Sequence, residues 1–294
     1  MALVIENLSK TYANGVQALK NVSLSIPTGM FGLLGPNGAG KSSLMRTIAT
    51  LQDADTGSIM LDNLDVLREK DAVRRVLGYL PQEFGVYPRV SAEELLDHLA
   101  VLKGIANAKE RKQTVEALLQ QTNLWNARKK NLGGYSGGMK QRFGIAQALL
   151  GNPRLIIVDE PTAGLDPAER NRFHNLLSEI GEHIIIILST HIVSDVTDLC
   201  RNMAIISQGQ VRLTGDPLTV VEQMRGQVWR KLVSKDEVAE LQAQHQVISS
   251  RLFAGQTIVH VLSEGRPAAG FEEVSPDLED VYFAQLSERR AVAA

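Results

Sequence analysis

The chain has 294 residues, of which 44% are hydrophobic and 22% are charged, and its formal net charge is −2. This composition is typical of folded globular proteins and excludes disordered and fibrous classes, while the length predicts about two domains. The mild acidity provides no basic field for sequence-independent binding to nucleic acid. The single cysteine, Cys200, excludes a disulfide framework and any metal site built from several cysteines.

The chain shows no targeting pattern. Its first residues lack a basic stretch followed by an apolar one, so we expect no secretory signal peptide. Apolar segments such as Gly32–Gly35 and Ile184–Leu188 are far shorter than the roughly 20 residues that a membrane-spanning helix requires. We therefore expect that a second polypeptide holds this chain in place if it works at a membrane.

Short apolar runs alternate with longer helical patterns up to about residue 215. Strands are predicted, in chain order, at Leu3–Leu8, Val22–Ile26, Met30–Leu34, Leu155–Val158, Ile184–Leu188, Met203–Ile206 and Val211–Thr214. The third strand runs into a glycine-rich loop and then into a predicted helix at Lys41–Leu51. The fourth and fifth strands lack polar residues, as parallel strands buried on both faces do. The sequence therefore predicts an α/β fold with a mainly parallel sheet and an antiparallel β region.

Two regions depart from this alternation. Between about residues 88 and 150 the pattern is helical, with a capping box at Ser91 and Glu94 and predicted helices at Lys109–Gln121 and 137–150. We expect a helical subdomain inserted here into a first domain of residues 1–225. Residues 226–294 again mix strands and helices, which predicts a small α+β C-terminal domain.

A phosphate-binding pattern lies between the third predicted strand and the helix that follows it. Residues 35–42 read GPNGAGKS and fit G-x-x-x-x-G-K-[ST], the P-loop of nucleotide hydrolases. The glycines let successive backbone N–H groups point at phosphate oxygens at a helix N-terminus. Lys41 is expected on the β- and γ-phosphates and the Ser42 hydroxyl on Mg²⁺. The expected nucleotide contacts are Asn37, Gly38, Ala39, Gly40, Lys41, Ser42 and Ser43.

A pair of acids follows the apolar strand at 155–158. A nucleotide hydrolase needs carboxylates at the end of a buried strand, and Asp159 and Glu160 supply them. We expect Asp159 to hold Mg²⁺, directly or through water, and Glu160 to orient and activate the attacking water.

A third segment narrows the class of nucleotide hydrolase. Residues 135–142 read YSGGMKQR and resemble the signature motif of ABC ATPases. Ser136 as N-cap, with two glycines opening a helix, makes a second anion site from backbone N–H groups and the helix dipole. Because one chain then has two phosphate-binding ends, we expect Ser136 and Gly138 to serve a nucleotide on another copy. The resemblance implies a head-to-tail dimer of two copies with two ATP molecules at the interface.

The resemblance covers about residues 2–225 and carries further roles with it. Gln82 resembles the Q-loop glutamine, which senses Mg²⁺ and the γ-phosphate. Residues 164–166 resemble the D-loop, with Asp166 at the nucleotide interface, and His191 resembles the switch histidine that contacts the γ-phosphate. Tyr12 stands where the family has an aromatic residue that stacks on adenine. The other histidines, at positions 98, 174, 183, 245 and 260, show no metal-ligand spacing and are expected to be structural.

The resemblance extends to a subfamily. Tyr135 and Met139 depart from the common Leu-Ser-Gly-Gly-Gln signature, while the Ser-Gly-Gly-Met-Lys-Gln-Arg form and the ending SPDLEDVY at 275–282 resemble the ATPase subunits of ABC-2-type exporters. This implies an ATP- and Mg²⁺-dependent subunit that powers a separate multi-span permease from the cytoplasmic face of the cell membrane. Helices around Phe84–Leu102 are expected to form the groove that receives a coupling helix of that permease.

The alternative is a soluble ABC ATPase that acts in DNA or ribosome metabolism. Such proteins usually carry two ATPase units in one chain, or a long coiled coil between the two nucleotide motifs, and this chain shows neither pattern. A GTPase is excluded because the guanine-reading segment Asn-Lys-x-Asp is absent from the sequence.

Overall fold

The computed structural model describes residues 1–82, 85, 87–162 and 165–287. The strands are β1 (Ala2–Thr11), β2 (Gln17–Pro27), β3 (Gly29–Leu34), β4 (Thr56–Leu61), β5 (Leu64–Asp65), β6 (Leu77–Leu80), β7 (Leu155–Asp159), β8 (Ile185–Thr190), β9 (Asn202–Ser207), β10 (Gln210–Gly215), β11 (Val228–Val233), β12 (Gln246–Phe253), β13 (Gln256–Leu262) and β14 (Glu272–Glu273). The helices are α1 (Lys41–Ile48), α2 (Lys70–Val76), α3 (Ala92–Leu102), α4 (Ala108–Gln121), α5 (Gly137–Ala148), α6 (Pro167–Ile180), α7 (Val193–Leu199), α8 (Pro217–Glu222), α9 (Glu237–Gln244) and α10 (Leu278–Ser287).

The central sheet has the strand order β10-β9-β3-β8-β7-β6, and all of its pairs are parallel except β9 with β10. Every residue of β7 and β8 is buried, as the uninterrupted apolar runs predict. Ile157 and Ile187 face the core that contains α1 and the antiparallel sheet, whereas Ile156 and Ile186 face the core that contains α6, α7 and α10. The predicted α/β fold with a mainly parallel sheet is confirmed.

A separate antiparallel sheet, with the order β2-β1-β4-β5, covers one face of this core. Strand β1 extends past the predicted end at Leu8, because its pairing with β2 continues to Thr11 opposite Gln17. This extension brings Tyr12 to the end of the sheet that faces the P-loop. Helix α1 ends earlier than predicted, at Ile48, because the backbone of Thr50 has a φ of 61° and cannot continue the helix.

Helices α3, α4 and α5 enclose a hydrophobic cluster of their own, which includes Leu96, Leu119 and Phe143. The predicted capping box is present, since Ser91 accepts from the Glu94 backbone N–H and the Glu94 carboxylate accepts from the Ser91 N–H at 3.0 Å. The α3–α5 cluster lies within the helical subdomain predicted at about 88–150.

The C-terminal residues form a sheet with the order β12-β13-β11-β14 and the helices α9 and α10. Asp277 and Asp280 cap α10 reciprocally, and Asp280 Oδ1 lies 2.7 Å from Nδ1 of His260 on the sheet. The same helix places Leu278 and Val281 in the core beside α7. Because α10 packs both against α7 and against strand β12 of the C-terminal sheet, the division after residue 225 remains a proposal.

Several elements were not predicted. These are the strands β4, β5, β6 and β14 and the helices α2, α6, α7 and α8, and each is either short or mostly polar on its exposed face. Among the helices of the described ranges, none combines the length and the apolar character that crossing a bilayer requires.

Strand β6 leads to Gln82, and its packing against α5 depends on a glycine. A Cβ at Gly78 would lie 2.2 Å from the carbonyl oxygen of Ala148, which is backbone and cannot move aside. We expect Gly78→Ala to lower the free energy of unfolding by about 1–3 kcal/mol. Urea unfolding measures this, with Gly265→Ala as the matched control, because a Cβ at Gly265 meets nothing within 4 Å. Equal stability of the two variants would contradict this description of the packing.

Candidate functional site

A cleft of about 510 Å³ lies at the carboxyl end of β3. Its wall is formed by the P-loop, the start of α1, the connection from β1 to β2 and the turn between β9 and β10. The lining residues are Tyr12, Val16, Gln17, Ala18, Lys20, Pro36, Asn37, Gly38, Ala39, Gly40, Lys41, Ser42, Ser43, Gln82, Glu160, Gln208 and Gly209. The structure therefore brings together all of the expected P-loop contacts, Tyr12, Gln82 and Glu160.

The P-loop depends on a glycine immediately before α1. Gly40 is the N-cap of α1 with a φ of 108°, and a Cβ there would lie 2.5 Å from the Ala18 carbonyl oxygen. The loop can therefore approach the β2 backbone closely.

Lys41 lies beneath this loop and is only 5% exposed. Its Nζ donates to the carbonyl oxygens of Gly35 at 2.6 Å and Pro36 at 3.3 Å. Burial lowers the pKa of Lys41, and the negative charges of Glu160 and Asp159 offset part of that effect. The side chain thus places an ammonium group in the wall of the cleft.

Glu160 is the point at which the predicted catalytic residues meet. Its Oε1 lies 3.1 Å from His191 Nδ1 and 3.9 Å from Lys41 Nζ. Its Oε2 accepts a hydrogen bond of 3.1 Å from Gln82 Nε2. Gln82, Lys41 and His191 come from three separate parts of the chain, and one carboxylate contacts all of them.

The backbone of Glu160 is in the left-handed region, with a φ of 47°. A residue with a Cβ adopts this conformation at a cost of the order of 1 kcal/mol, and such residues concentrate at functional sites. The Glu160 N–H donates to the Ser189 carbonyl oxygen at 2.8 Å, which ties the end of β7 to β8. The sharp turn directs the Glu160 side chain out of the sheet edge and into the cleft.

Asp159 lies on β7 and is 6% exposed. Burial raises the pKa of Asp159, the Ser189 hydroxyl lowers it, and the neighbouring charge of Glu160 raises it further, so the net direction is upward. Asp159 and His191 do not line the cleft themselves. Asp159 is the last residue of β7 and directly precedes Glu160, which lines the cleft. His191 contacts the Glu160 carboxylate.

Tyr12 lies in the cleft, and its hydroxyl is held by Ser43 of α1 and by Gln52, which follows that helix. The hydroxyl oxygen is 2.9 Å from Ser43 Oγ and donates to Gln52 Oε1 at 3.0 Å. These bonds fix the ring at the wall of the cleft.

Ser136, Gly138 and Asp166 are described but do not line the cleft of their own chain. Ser136 is exposed and caps α5, accepting from the Met139 N–H at 3.2 Å. Gly138 is buried, and a Cβ there would lie 2.2 Å from Glu169 Oε2. Asp166 caps α6 by accepting from the Glu169 N–H at 2.9 Å. Two residues of the sequence motifs, Phe84 and Gly164, lie outside the described residues.

The sequence did not identify two parts of the site. The first is the turn between β9 and β10, where Gly209 donates to Ala39 O at 2.8 Å and accepts from the Lys20 N–H at 2.8 Å. The second is Asp195 on α7, a fully buried carboxylate that contacts Thr162, Thr190 and α6. For Gly209 the sequence offers only a turn pattern, and for Asp195 it offers only an acidic residue in a short segment. Neither signal identifies a partner that is distant in the sequence.

Comparison with known proteins yields relatives along most of the chain. The sequence model of the family described as "ABC transporter" matches residues 19–163. YbhF of Escherichia coli, described as a probable multidrug ABC transporter ATP-binding protein, is 32% identical over 87% of this chain. The match spans only 46% of YbhF.

Solved structures show the same fold. The cassette MJ0796, solved as a dimer in a post-hydrolysis state with ADP and Pi, superposes with a TM-score of 0.66 at 27% identity, over 73% of this chain and 98% of that one. The P-loop NTPase core predicted from the sequence is thereby confirmed.

A further relative matches almost the full length of the chain. YxlF of Bacillus subtilis, described as an uncharacterized ABC transporter ATP-binding protein, is 34% identical over 96% of this chain and 98% of its own length. Since this relation covers both proteins nearly end to end, the chain belongs to the ABC transporter ATP-binding proteins, which are ATPases that couple ATP hydrolysis to transport.

Proposed function

We propose that this chain is the ATP-hydrolysing subunit of an ABC-2-type exporter. The main observation in support of this proposal is that Lys41, Gln82 and His191 all contact the Glu160 carboxylate, which lines the cleft formed by the P-loop. In this proposal residues 1–225 are the ATPase domain and residues 226–294 an accessory domain.

Each of these side chains has a role that follows from its position. Lys41 and the P-loop N–H groups bind the phosphates of ATP by charge and by hydrogen bonds. Glu160 accepts the proton of the attacking water at its carboxylate. Gln82 and His191 hold that carboxylate from two sides, and His191, which is 47% exposed, is free to contact the γ-phosphate. Tyr12 stacks on the adenine.

Mg²⁺ fits the donors that this site offers. Ser42 contributes a hydroxyl in the cleft, Gln82 an amide oxygen and Asp159 a carboxylate beneath it, and oxygen ligands of this kind are those that Mg²⁺ prefers. Over the described ranges, no group of three or more His, Cys, Asp or Glu side chains could hold an ion unaided. The residues therefore fit an ion held mainly by substrate phosphates, and when bound it neutralises phosphate charge.

The signature motif supports a two-copy arrangement. Ser136 and Gly137 are exposed and do not line the cleft of their own chain, and Ser136 is the N-cap of α5. A helix N-terminus of this kind binds phosphate. Two copies packed head to tail would complete each other's sites with Ser136, Gly138 and Asp166, and the dimeric assembly of MJ0796 supports this arrangement.

An apolar groove supports a membrane partner. It lies where the central sheet meets the helical subdomain, and it is lined by Ala49, Leu51, Arg74, Leu77, Gly78, Tyr79, Leu99, Leu102, Lys103, Gln147, Ala148 and Leu150. Leu51 is 61% exposed and Leu102 is 71% exposed at its edge. Because β6 runs along the groove and then leads to Gln82, a helix seated there would be linked to the nucleotide site. We propose that a cytoplasmic helix of a multi-span permease occupies it and holds the chain at the membrane.

Export is supported by the SGGMKQR form of the signature and by the description of YbhF as a probable multidrug transporter protein. The competing function, a soluble ABC ATPase in DNA or ribosome metabolism, has no observation in its favour, and the groove favours a membrane partner over it.

Lys41→Ala tests the phosphate site. We expect the affinity for ATP to fall about tenfold or more, because a charge-assisted contact to the phosphates is lost. Titration with a fluorescent ATP analogue measures the affinity, and Lys235→Ala, an exposed lysine of the C-terminal region, is the control. An unchanged affinity in the Lys41 variant would count against the role of the loop.

Glu160→Gln tests the catalytic base. The amide is nearly isosteric but cannot take a proton, so ATP should still bind while turnover falls about 100-fold or more. Light scattering with ATP should detect a trapped dimer. Glu179→Gln, on the exposed face of α6, is the control and should hydrolyse ATP normally. Rapid hydrolysis by the Glu160 variant would refute this assignment.

Leu102→Asp tests the groove. The tagged chain, extracted from its own cells in mild detergent, should carry a stoichiometric multi-span membrane protein, and the aspartate should abolish this association because it introduces charge into an apolar contact. Leu218→Asp is the matched control, since Leu218 is 73% exposed and lies outside the groove. Co-purification of ribosomal or DNA-repair proteins without any membrane protein would support the soluble alternative.

A further inference from the structure

We propose that Asp195 is a positioning residue for ATP hydrolysis, which holds the segments of Glu160 and His191 in register through the hydroxyls of Thr162 and Thr190. This inference rests on the proposed function, because it takes Glu160 and His191 as the residues that act on the nucleotide. Asp195 lies on α7 and touches neither the cleft nor Glu160, so it acts only through other residues.

The two oxygens of Asp195 contact different parts of the fold. Oδ2 accepts from Thr162 Oγ1 at 2.7 Å and from Thr190 Oγ1 at 3.4 Å. Oδ1 accepts from Arg170 Nε at 2.8 Å and lies 3.0 Å from His174 Nε2. The carboxylate is thus placed between the end of β7, the end of β8 and helix α6.

Both threonines are very close in sequence to a residue of the proposed catalytic site. Thr162 follows Glu160 with only Pro161 between them, and the proline ring restricts the backbone of that connection. Thr190 immediately precedes His191, and its Oγ1 also accepts from the Ile192 N–H at 2.9 Å, which closes a turn around the histidine. A shift of either hydroxyl would therefore also displace the neighbouring residue, Glu160 or His191.

The environment makes Asp195 a rigid anchor. The residue is 0% exposed, and a buried carboxylate without partners would be strongly unfavourable. Burial alone would raise the pKa of Asp195, but the hydrogen bonds from His174, Thr162 and Arg170 outweigh burial and keep the pKa below its ordinary value. The carboxylate therefore stays ionised at neutral pH, and its partners are fixed by charge-assisted hydrogen bonds.

The same anchor reaches the proposed dimer interface. Arg170 and His174 lie on α6, whose N-cap is Asp166. Asp195 therefore also fixes the helix that carries Asp166, and a single buried charge relates the Glu160 turn, the His191 turn and the start of α6 to one another. A displacement of catalytic groups by about 1 Å, caused by a change away from the reacting atoms, can lower the rate by about 100-fold.

The test compares two substitutions of Thr162 in the purified full-length chain. Thr162→Val keeps the shape but removes the hydroxyl, and Thr162→Ser keeps the hydroxyl. We expect the valine variant to lose about tenfold in kcat for ATP with KM within about twofold of the native value. The serine variant should recover kcat to within about threefold of the native value, since the bond to Asp195 can still form.

Asp195→Asn and a remote threonine complete the set. The Asp195→Asn variant should show the same fall in kcat without a matching rise in KM, and it should also be less stable because the charge that pairs with Arg170 is removed. Thr257→Val, at a buried threonine of β13, is the matched control and should leave kcat unchanged. Melting temperatures of all variants fix an assay temperature at which each is folded.

Three results would overturn the inference: native kcat in Thr162→Val, an equal loss in the valine and serine variants, or a rise in KM that accounts for the loss. Its failure is distinguishable from failure of the proposed function. If Glu160→Gln still hydrolyses ATP, the site itself is misassigned, whereas an inactive Glu160→Gln beside a fully active Thr162→Val refutes the role of Asp195 alone.

Discussion

The parallel pairing of β3, β8 and β7 is the constraint on which the rest of the structure depends. Leu34 pairs with Thr190, and Asp159 pairs with Ser189, so the three strands end at the same edge of the sheet. The P-loop follows β3 at that edge, Glu160 follows β7, and His191 follows β8. A slip in register would move each side chain to the opposite face of the sheet, where it would meet a different core, and would separate these residues from one another.

Two carboxylates at this edge differ in what surrounds them. Glu160 lines the cleft, has a left-handed backbone conformation and contacts a lysine, an amide and an imidazole, while its carboxylate keeps some exposure to solvent. Asp195 is fully buried, and both of its oxygens have close hydrogen-bond partners. The first arrangement suits a group that must meet water and phosphate, and the second suits a group that must not move.

Helix α10 extends this connected core to the C-terminal residues. Its start is fixed by the reciprocal caps of Asp277 and Asp280 and by the contact of Asp280 with His260. Leu278, Val281 and Tyr282 then pack into the core that also contains α7. The ending SPDLEDVY, singled out in the sequence as a subfamily mark, therefore has a physical role, which is to attach the last helix to the sheet behind the nucleotide edge.

The sequence by itself determined the features that depend on neighbours along the chain. The buried parallel strands follow from uninterrupted apolar runs, the Ser91 capping box from a spacing of three residues, and the P-loop from a contiguous motif between a strand and a helix. The acids at 159 and 160 were also evident, since they directly follow a buried strand. Short or polar-faced elements such as β6 and α7 were not predicted, because their few residues carry little periodicity.

Only the tertiary structure decided what depends on partners that are distant in sequence. Pairing across the sheet brings Gln82, Lys41 and His191 to Glu160, and it places the Gly209 turn against the P-loop. Packing of α6 and α7 turns Asp195, an ordinary acid in the sequence, into a fully buried anchor. The physical reason is that a hydrogen bond or an ion pair depends on distance and burial, and a linear sequence specifies both only after the chain has folded.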